Sequence, residues 1–221
     1  MTPYAAAGLQ WVRPPQQARS QETLDRLLDA AERLVAEKGF DDTPVAEVAR
    51  RAGSSVGAFY SRFADKDALL YALYERWLEE ATATADAALD PVRWEGATIP
   101  EIISSVVRFL VQIYRQRGGL IRAFVLRNHV DSEFHARQER LSHYVSTRLT
   151  ALLLDRRDEI ARDDAERAAA FGLTLIMSGL ESVMLFGEYR TGSLALNDDE
   201  LAGELTTAYL AYLGVSTRSI R

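Results

Sequence analysis

The chain has 221 residues, 48% of them hydrophobic, and a formal net charge of −6. That length supports a sizeable buried core and either one large domain or two small ones. The absence of cysteine excludes a disulfide framework, a thiol nucleophile and a thiolate metal site. At the N-terminus the apolar run Ala5 to Ala7 is too short for a leader and Arg13 interrupts the stretch beyond it, so a cytoplasmic location is expected. The charge is unevenly spread. Residues 1–66 carry 9 basic and 9 acidic side chains, whereas residues 67–221 carry 17 and 23. The acidity therefore does not oppose a polyanion at the N-terminal end, because local patches steer association.

Residues 1–19 read as a separate arm. Gly8, Pro14, Pro15, Gln16 and Gln17 argue against regular structure. Arg13 and Arg19 fit an arm reaching into a minor groove; a disordered tail is the other reading, with Trp11 free to pack on the domain body. A first long helix is expected from Ser20 or Gln21 to Lys38. Leu24, Leu27, Leu28, Ala31, Leu34 and Val35 trace its apolar stripe. Gly39 suits its C-terminal cap, with Phe40 as an apolar plug beyond.

Thr43 to Lys66 carries the strongest local signal. Thr43 is expected to cap a short helix with Pro44 in its first turn. Val45, Val48, Ala49 and Ala52 repeat at helical spacing, Gly53 permits a sharp turn, and Ser54 or Ser55 caps a second short helix. Phe59 and Phe63, four apart, face inward, and a third helix starts at Asp65. This is the arithmetic of a helix-turn-helix, a small core beneath a second helix with a free outer face. The outer positions are Ser55, Val56, Ala58, Tyr60, Ser61 and Arg62, with Lys66 just beyond. Hydroxyls and cations there bond phosphates, and Val56 and Ala58 allow close approach to base edges. A surface helix of an all-α protein, with Tyr60 covering the core, is the plainer reading of the same spacing.

The run ARRAGSSVGAFYSRFADKDALL resembles the N-terminal DNA-binding domain of the TetR family of bacterial regulators. The resemblance rests on Thr43, Val45, Val48, Ala49, Ala52, Gly53, Ser55, Gly57, Phe59, Tyr60, Phe63, Lys66 and Leu69. Ser54 stands where the family usually has Val, and Arg62 where it has His or Tyr. The resemblance implies an all-α homodimer: a three-helix helix-turn-helix domain (20–66) and a C-terminal helical bundle (67–221) for ligand binding and dimerisation, about nine helices in all. It implies a DNA-contacting set of Thr43, Ser54, Ser55, Val56, Gly57, Ala58, Tyr60, Ser61, Arg62 and Lys66. It also implies that motion of the connecting helix changes the separation of the recognition helices.

That connecting helix carries Leu69, Leu70, Leu73, Tyr74 and Trp77 and runs to about Ala88. A loop, Asp90 to Thr98, precedes a helix from Ile99 to Gln116 with Ile102, Ile103, Val106, Leu110, Ile113 and Tyr114 inward. Gly118 and Gly119 end it, and Leu120 to Asn128 is a short apolar helix. Asp131 or Ser132 caps the next, with Phe134, Leu141, Val145, Leu149 and Leu152 on one face. Residues 156–164 form a charged connector, and Asp163 with Glu166 has capping-box spacing. No strand-period segment stands out.

Ala168 to Gly187 is apolar nearly all round. Glu181 interrupts it, leaving less than the roughly 20 residues a bilayer span needs, so no membrane role is expected. A helix apolar on all sides is otherwise buried on all sides, here between its own domain and a second copy. Gly172, Ser178 and Gly179 allow close helix approach. A last helix, Asp198 to Leu213, with Leu201, Leu205, Tyr209 and Tyr212, completes a two-fold interface.

Inward aromatic and polar positions are the candidates for an unidentified small-molecule effector: Phe109, Ile113, Tyr114, Phe124, Arg127, Phe134, Gln138, Met177 and Glu181. For each of them core packing or a solvated surface is the stronger reading. Glu181 is the most informative, since a carboxylate on an apolar helix needs a cationic ligand, Arg127, or a partner across a dimer. Enzyme chemistry is not expected. His129, His135 and His143 form no metal-ligand pattern, and there is neither a phosphate-binding glycine loop nor a GxSxG turn. No cofactor is expected. The reading is a homodimeric regulator, a repressor released from operator DNA by a small molecule; the alternative is a helix-turn-helix dimer controlled by a protein partner.

Overall fold

The computed structural model describes residues 18–186, 190–191 and 194–215. Among the described residues there are nine α-helices: α1 Ala18–Lys38, α2 Val45–Arg51, α3 Val56–Tyr60, α4 Lys66–Ala88, α5 Ile99–Gln116, α6 Gly118–Asn128, α7 Ser132–Leu154, α8 Ala165–Phe186 and α9 Asp198–Leu213. The all-α expectation holds. One departure is a two-residue antiparallel ribbon pairing Arg190 with Ala195 and Thr191 with Leu194. Segments so short carry no alternation that a sequence reading could detect. The expected arm, with Trp11 and Arg13, lies outside the described residues, except that Ala18 and Arg19 already belong to α1.

Local signals set most helix ends. Gly39 (φ 84°) closes α1 as its N–H bonds the Val35 carbonyl. Asp65 caps α4 through the Ala68 N–H at 2.7 Å. Thr98 and Glu101 form a capping box on α5, and Asn197 and Glu200 form another on α9. Asp131, rather than Ser132, caps α7 by accepting from the Glu133 and Phe134 N–H groups. Ahead of α8 the cap falls one residue later than expected. The Asp164 carbonyl accepts the Ala168 N–H, and its carboxylate is held by Arg162 at 2.9 Å. Gly118 and Gly119 open α6 instead of lying in a break after α5.

The chain divides into two compact units. The first comprises the residues up to Ala81 together with Gly119–Arg127; the second comprises Thr82–Gly118 and the residues from Asn128 on. This division differs from one at residue 66/67, because most of α4 and nearly all of α6 go with the first unit.

In the first unit α1 buries Leu24, Leu27, Leu28, Ala31, Leu34 and Val35. The leucine and valine side chains are each worth roughly 1.5–3 kcal/mol on burial. Arg76 of α4, only 11% exposed, is fixed to α1 by Asp29 at 2.7 Å and Glu32 at 2.5 Å. Gly119 brings α6 against α1: a Cβ there would lie 2.6 Å from the Val35 carbonyl oxygen, which only glycine avoids. Phe124 of α6 packs on Tyr74 and Trp77, ring centroids 4.9 and 5.7 Å apart.

The core of the second unit joins Ile99, Ile102, Ile103, Val107 and Val111 of α5 to Leu149, Leu152 and Leu153 of α7. Leu173, Ile176 and Leu180 of α8 and Leu201, Tyr209, Leu210 and Leu213 of α9 complete it. The α5 stripe is centred on Val107 and Val111, with Val106, Leu110 and Tyr114 at its edge. Helix α9 crosses α8 at Gly172, where the Tyr209 ring fills the space a side chain would need and its hydroxyl donates to the Ala169 carbonyl. The other glycine, Gly179, faces Leu205 of α9, and Ser178 is exposed. Both glycines thus serve packing within one chain.

Helix α8 is long and apolar enough by composition to cross a membrane. Leu173, Ile176 and Leu180 are buried among the other helices, whereas Phe171 and Leu175 are each 46% exposed. Periodicity could not phase that division, because the helix is apolar on both sides.

Candidate nucleic-acid interface and effector residues

The helix-turn-helix is built outward from two phenylalanines. Phe59 and Phe63 are fully buried with ring centroids 4.9 Å apart, and Val48 and Ala49 of α2 are buried with them. Gly53 turns the chain at φ 60°, and the Ser54 N–H returns to the Ala49 carbonyl at 2.9 Å. Ser55 caps α3 by accepting the Ala58 N–H at 3.1 Å. Two ion pairs tie α2 to α1: Arg51 with Glu37 at 2.6 Å, and Lys38 with Glu47. The Arg51 guanidinium holds the Glu37 carboxyl below the usual carboxylate range.

Outside that core, Ser55, Val56, Gly57, Tyr60 and Ser61 are exposed and Ala58 is half-buried. They form one surface without a carboxylate. The Ser61 hydroxyl donates to the Ala58 carbonyl at 2.7 Å, so it offers lone pairs rather than a proton. Ser55 uses its oxygen as the cap and keeps its O–H for a further acceptor. Ser54 and Arg62 are half-buried beside this surface.

Two residues of the expected DNA-contacting set bond within the chain. Thr43 does not cap α2; Pro44 occupies the cap position and no side chain bonds the helix end. The Thr43 side chain is 1% exposed and donates to the Gly39 carbonyl at 2.7 Å, which closes the α1–α2 turn and leaves no hydroxyl for a phosphate. The Lys66 ammonium donates to the Asp41 carbonyl at 2.9 Å and sits 4.6 Å from the Phe40 ring centroid. It fastens the same turn. Conversely, Arg50 at the end of α2 has a side chain 77% exposed and lies 4.0 Å from Glu47. Reading outer positions on α3 alone misses it; the Arg-Arg pair before the turn is the available signal.

The expected effector residues separate. Phe124 and Arg127 belong to the first unit. Arg127 pairs with Asp67 at 2.8 Å and lies over the Tyr71 ring. Phe109 is 37% exposed, because two residues from both Val107 and Val111 is the far side of α5. Phe134 is fully buried. Gln138, half-buried, donates to Ser142 at 3.3 Å. Ile113 is half-buried on α5.

Tyr114, Met177 and Glu181 remain, all half-buried in the second unit. Burial and the nearby Glu181 carboxylate push the Tyr114 phenol up. Burial also raises the Glu181 carboxyl, which His129 partly offsets. His129, absent from the expected set, lies directly after α6 and carried no helical-face signal. Among the described residues no group of three or more His, Asp or Glu is placed to hold a metal.

Comparison with known proteins gives this arrangement its setting. Residues 27–73 match a family described as bacterial regulatory proteins, tetR family, and residues 98–213 match the tetracyclin repressor-like C-terminal domain. The HTH-type transcriptional repressor BdcR of Escherichia coli (strain K12) is 27% identical over 160 residues, 72% of this chain and 77% of that protein. A TetR-family regulator structure from Mesorhizobium loti shares the fold with a TM-score of 0.70 at 18% identity, covering 90% of this chain and 98% of that one. The structure of RolR in complex with resorcinol has a TM-score of 0.55 at 23% identity, covering 90% and 91%. The chain belongs to the TetR family of bacterial transcriptional regulators, and it is a regulator rather than an enzyme.

Proposed function

We propose that this regulator binds a palindromic operator as a homodimer in the cytoplasm, represses transcription there, and is released by a small molecule. The observation that carries the reading is the exposed face of α3: Ser55, Val56, Gly57, Ala58, Tyr60 and Ser61, small or hydroxylated, without a carboxylate, over the Phe59–Phe63 core. Val56 and Ala58 read base edges, Ser54, Ser55, Tyr60, Arg62 and Arg50 face phosphates, and Ser61 offers its lone pairs to a donor on a base edge. The DNA-contacting part is residues 20–66. Residues 67–221 supply the effector site and the dimer contact.

The outward stripe of α8, Phe171 and Leu175, with Tyr212 of α9 against Phe171 at 5.5 Å, supports the dimer. Two-fold symmetry then sets the α3 helices one DNA turn apart, roughly 34–36 Å. Effector release is supported by the half-buried polar groups of the second unit; RolR, of the same fold, is bound to a small molecule in its structure.

Fluorescence anisotropy with the DNA upstream of the gene and with a random duplex, at two salt concentrations, tests the reading. Tighter, salt-weakened binding to the upstream DNA is expected. Equal binding to operators selected from random sequence and to random DNA, by folded dimeric protein, refutes it. Ala58 variants should alter sequence preference more than general affinity; equal losses on both DNAs count against base readout by α3.

A further inference from the structure

We infer that each operator half-site is read through a thymine methyl group, and that Val56 is the side chain that reads it. The inference rests on the reading that α3 lies in the major groove of an operator. Guanine is usually read there by Arg or Lys, and adenine by Asn or Gln, each bonding two atoms of one base. Residues 54–61, SSVGAFYS, contain none of the four. Arg62, next along, is half-buried. Arg50 lies on α2, the helix that crosses the backbone in this motif.

Thymine is the base that presents carbon, since its C5-methyl group projects into the major groove and is matched by an apolar side chain. Val56 supplies one. It lies in the first turn of α3 and is 41% exposed, and the Ser55 cap on the Ala58 N–H fixes that turn. Ala58 is half-buried, and the Tyr60 ring leans edge-on against Phe59 with centroids 5.3 Å apart. Gly57 points to the same contact. Its φ is not positive, and a Cβ there would meet only the Ser55 Oγ, at 3.8 Å. The fold itself therefore does not require glycine, which weakens a helix. Close approach of a ligand to the helix does require it. A side chain at position 57 would hold Val56 away from the bases.

The full-length protein is used to select operators from random duplexes. Each thymine of the selected sequence is then replaced in turn by deoxyuridine, which pairs identically and lacks only the methyl group. Fluorescence anisotropy gives the affinities. Replacing one thymine in a half-site should weaken binding about fourfold, and replacing its counterpart as well about fifteenfold. Val56→Ala should lose about as much on the unmodified operator as the double replacement costs, and should no longer distinguish thymine from deoxyuridine there. Gly57→Ala should melt no lower than wild type, yet bind the operator about tenfold or more weakly. Both positions are exposed, so both variants keep the fold.

A selected operator in which no thymine responds overturns the inference. So does a deoxyuridine penalty that Val56→Ala leaves intact, or operator binding by Gly57→Ala as tight as wild type. In each of these cases the operator reading survives. If selection with folded protein returns no preferred sequence, the operator reading fails and the inference falls with it.

Discussion

Gly172→Ala is the sharpest probe of how the second unit is held together, because two effects of opposite sign meet at one atom. In an exposed helix the change would stabilise by about 1 kcal/mol, since glycine is the poorer helix former. Here the new methyl carbon would lie 1.9 Å from Cε2 of Tyr209, whose side chain is 2% exposed and anchored by its hydroxyl on the Ala169 carbonyl. The ring must move. Overpacking costs roughly 1–3 kcal/mol, and a stranded buried hydroxyl and carbonyl a further ~1–3 kcal/mol. After the propensity gain the net loss is about 1–5 kcal/mol. For a chain of this length each kcal/mol shifts the melting temperature by roughly 2–4 °C. Gly203→Ala is the control: nothing lies within 4 Å of the added carbon on α9, so that variant should melt no lower than wild type. Thermal unfolding by circular dichroism, at one fixed protein concentration because any self-association makes melting concentration-dependent, reads both. A Gly172→Ala protein as stable as wild type would refute the claim that α8 and α9 are fitted through this glycine.

Other perturbations separate structural from surface charges. Arg76→Met should destabilise by about 1–3 kcal/mol in urea unfolding, because Asp29 and Glu32 lose their cation but keep much of their access to water. Lys66→Ala should lower stability by about 1 kcal/mol through the lost Asp41 bond. Arg50→Ala should leave stability within about 0.5 kcal/mol and reduce the salt slope of DNA binding by about one unit; an unchanged slope would remove Arg50 from the phosphate contacts. Glu181→Gln should raise the melting temperature at neutral pH. The Glu181 carboxyl is raised by folding, so the folded state binds the extra proton, and its charge costs stability once the pH exceeds that raised value. Below the ordinary carboxyl range both states are protonated and the two proteins should melt together. A gain that persists unchanged in acid would refute the desolvation argument.

Features that depend on neighbours a few residues apart were legible in the sequence. The helix-turn-helix was one, because Phe59 with Phe63, the Gly53 turn and the Ser55 cap all act within a dozen residues. The Asp131 cap and the α1 stripe were legible for the same reason. Partners far along the chain set the rest. Lys66 finds the Asp41 carbonyl 25 residues away, Tyr209 the Ala169 carbonyl 40 away, and Arg127 the Asp67 carboxylate 60 away. Each partner draws a side chain from the role its local pattern suggested: Lys66 to a turn, Arg127 to the first unit. The burial of Thr43 and the outward turn of Phe109 belong with these. Periodicity states that a helix has an apolar face, but the phase of α5 and the two sides of α8 are set by the helices that arrive to cover them.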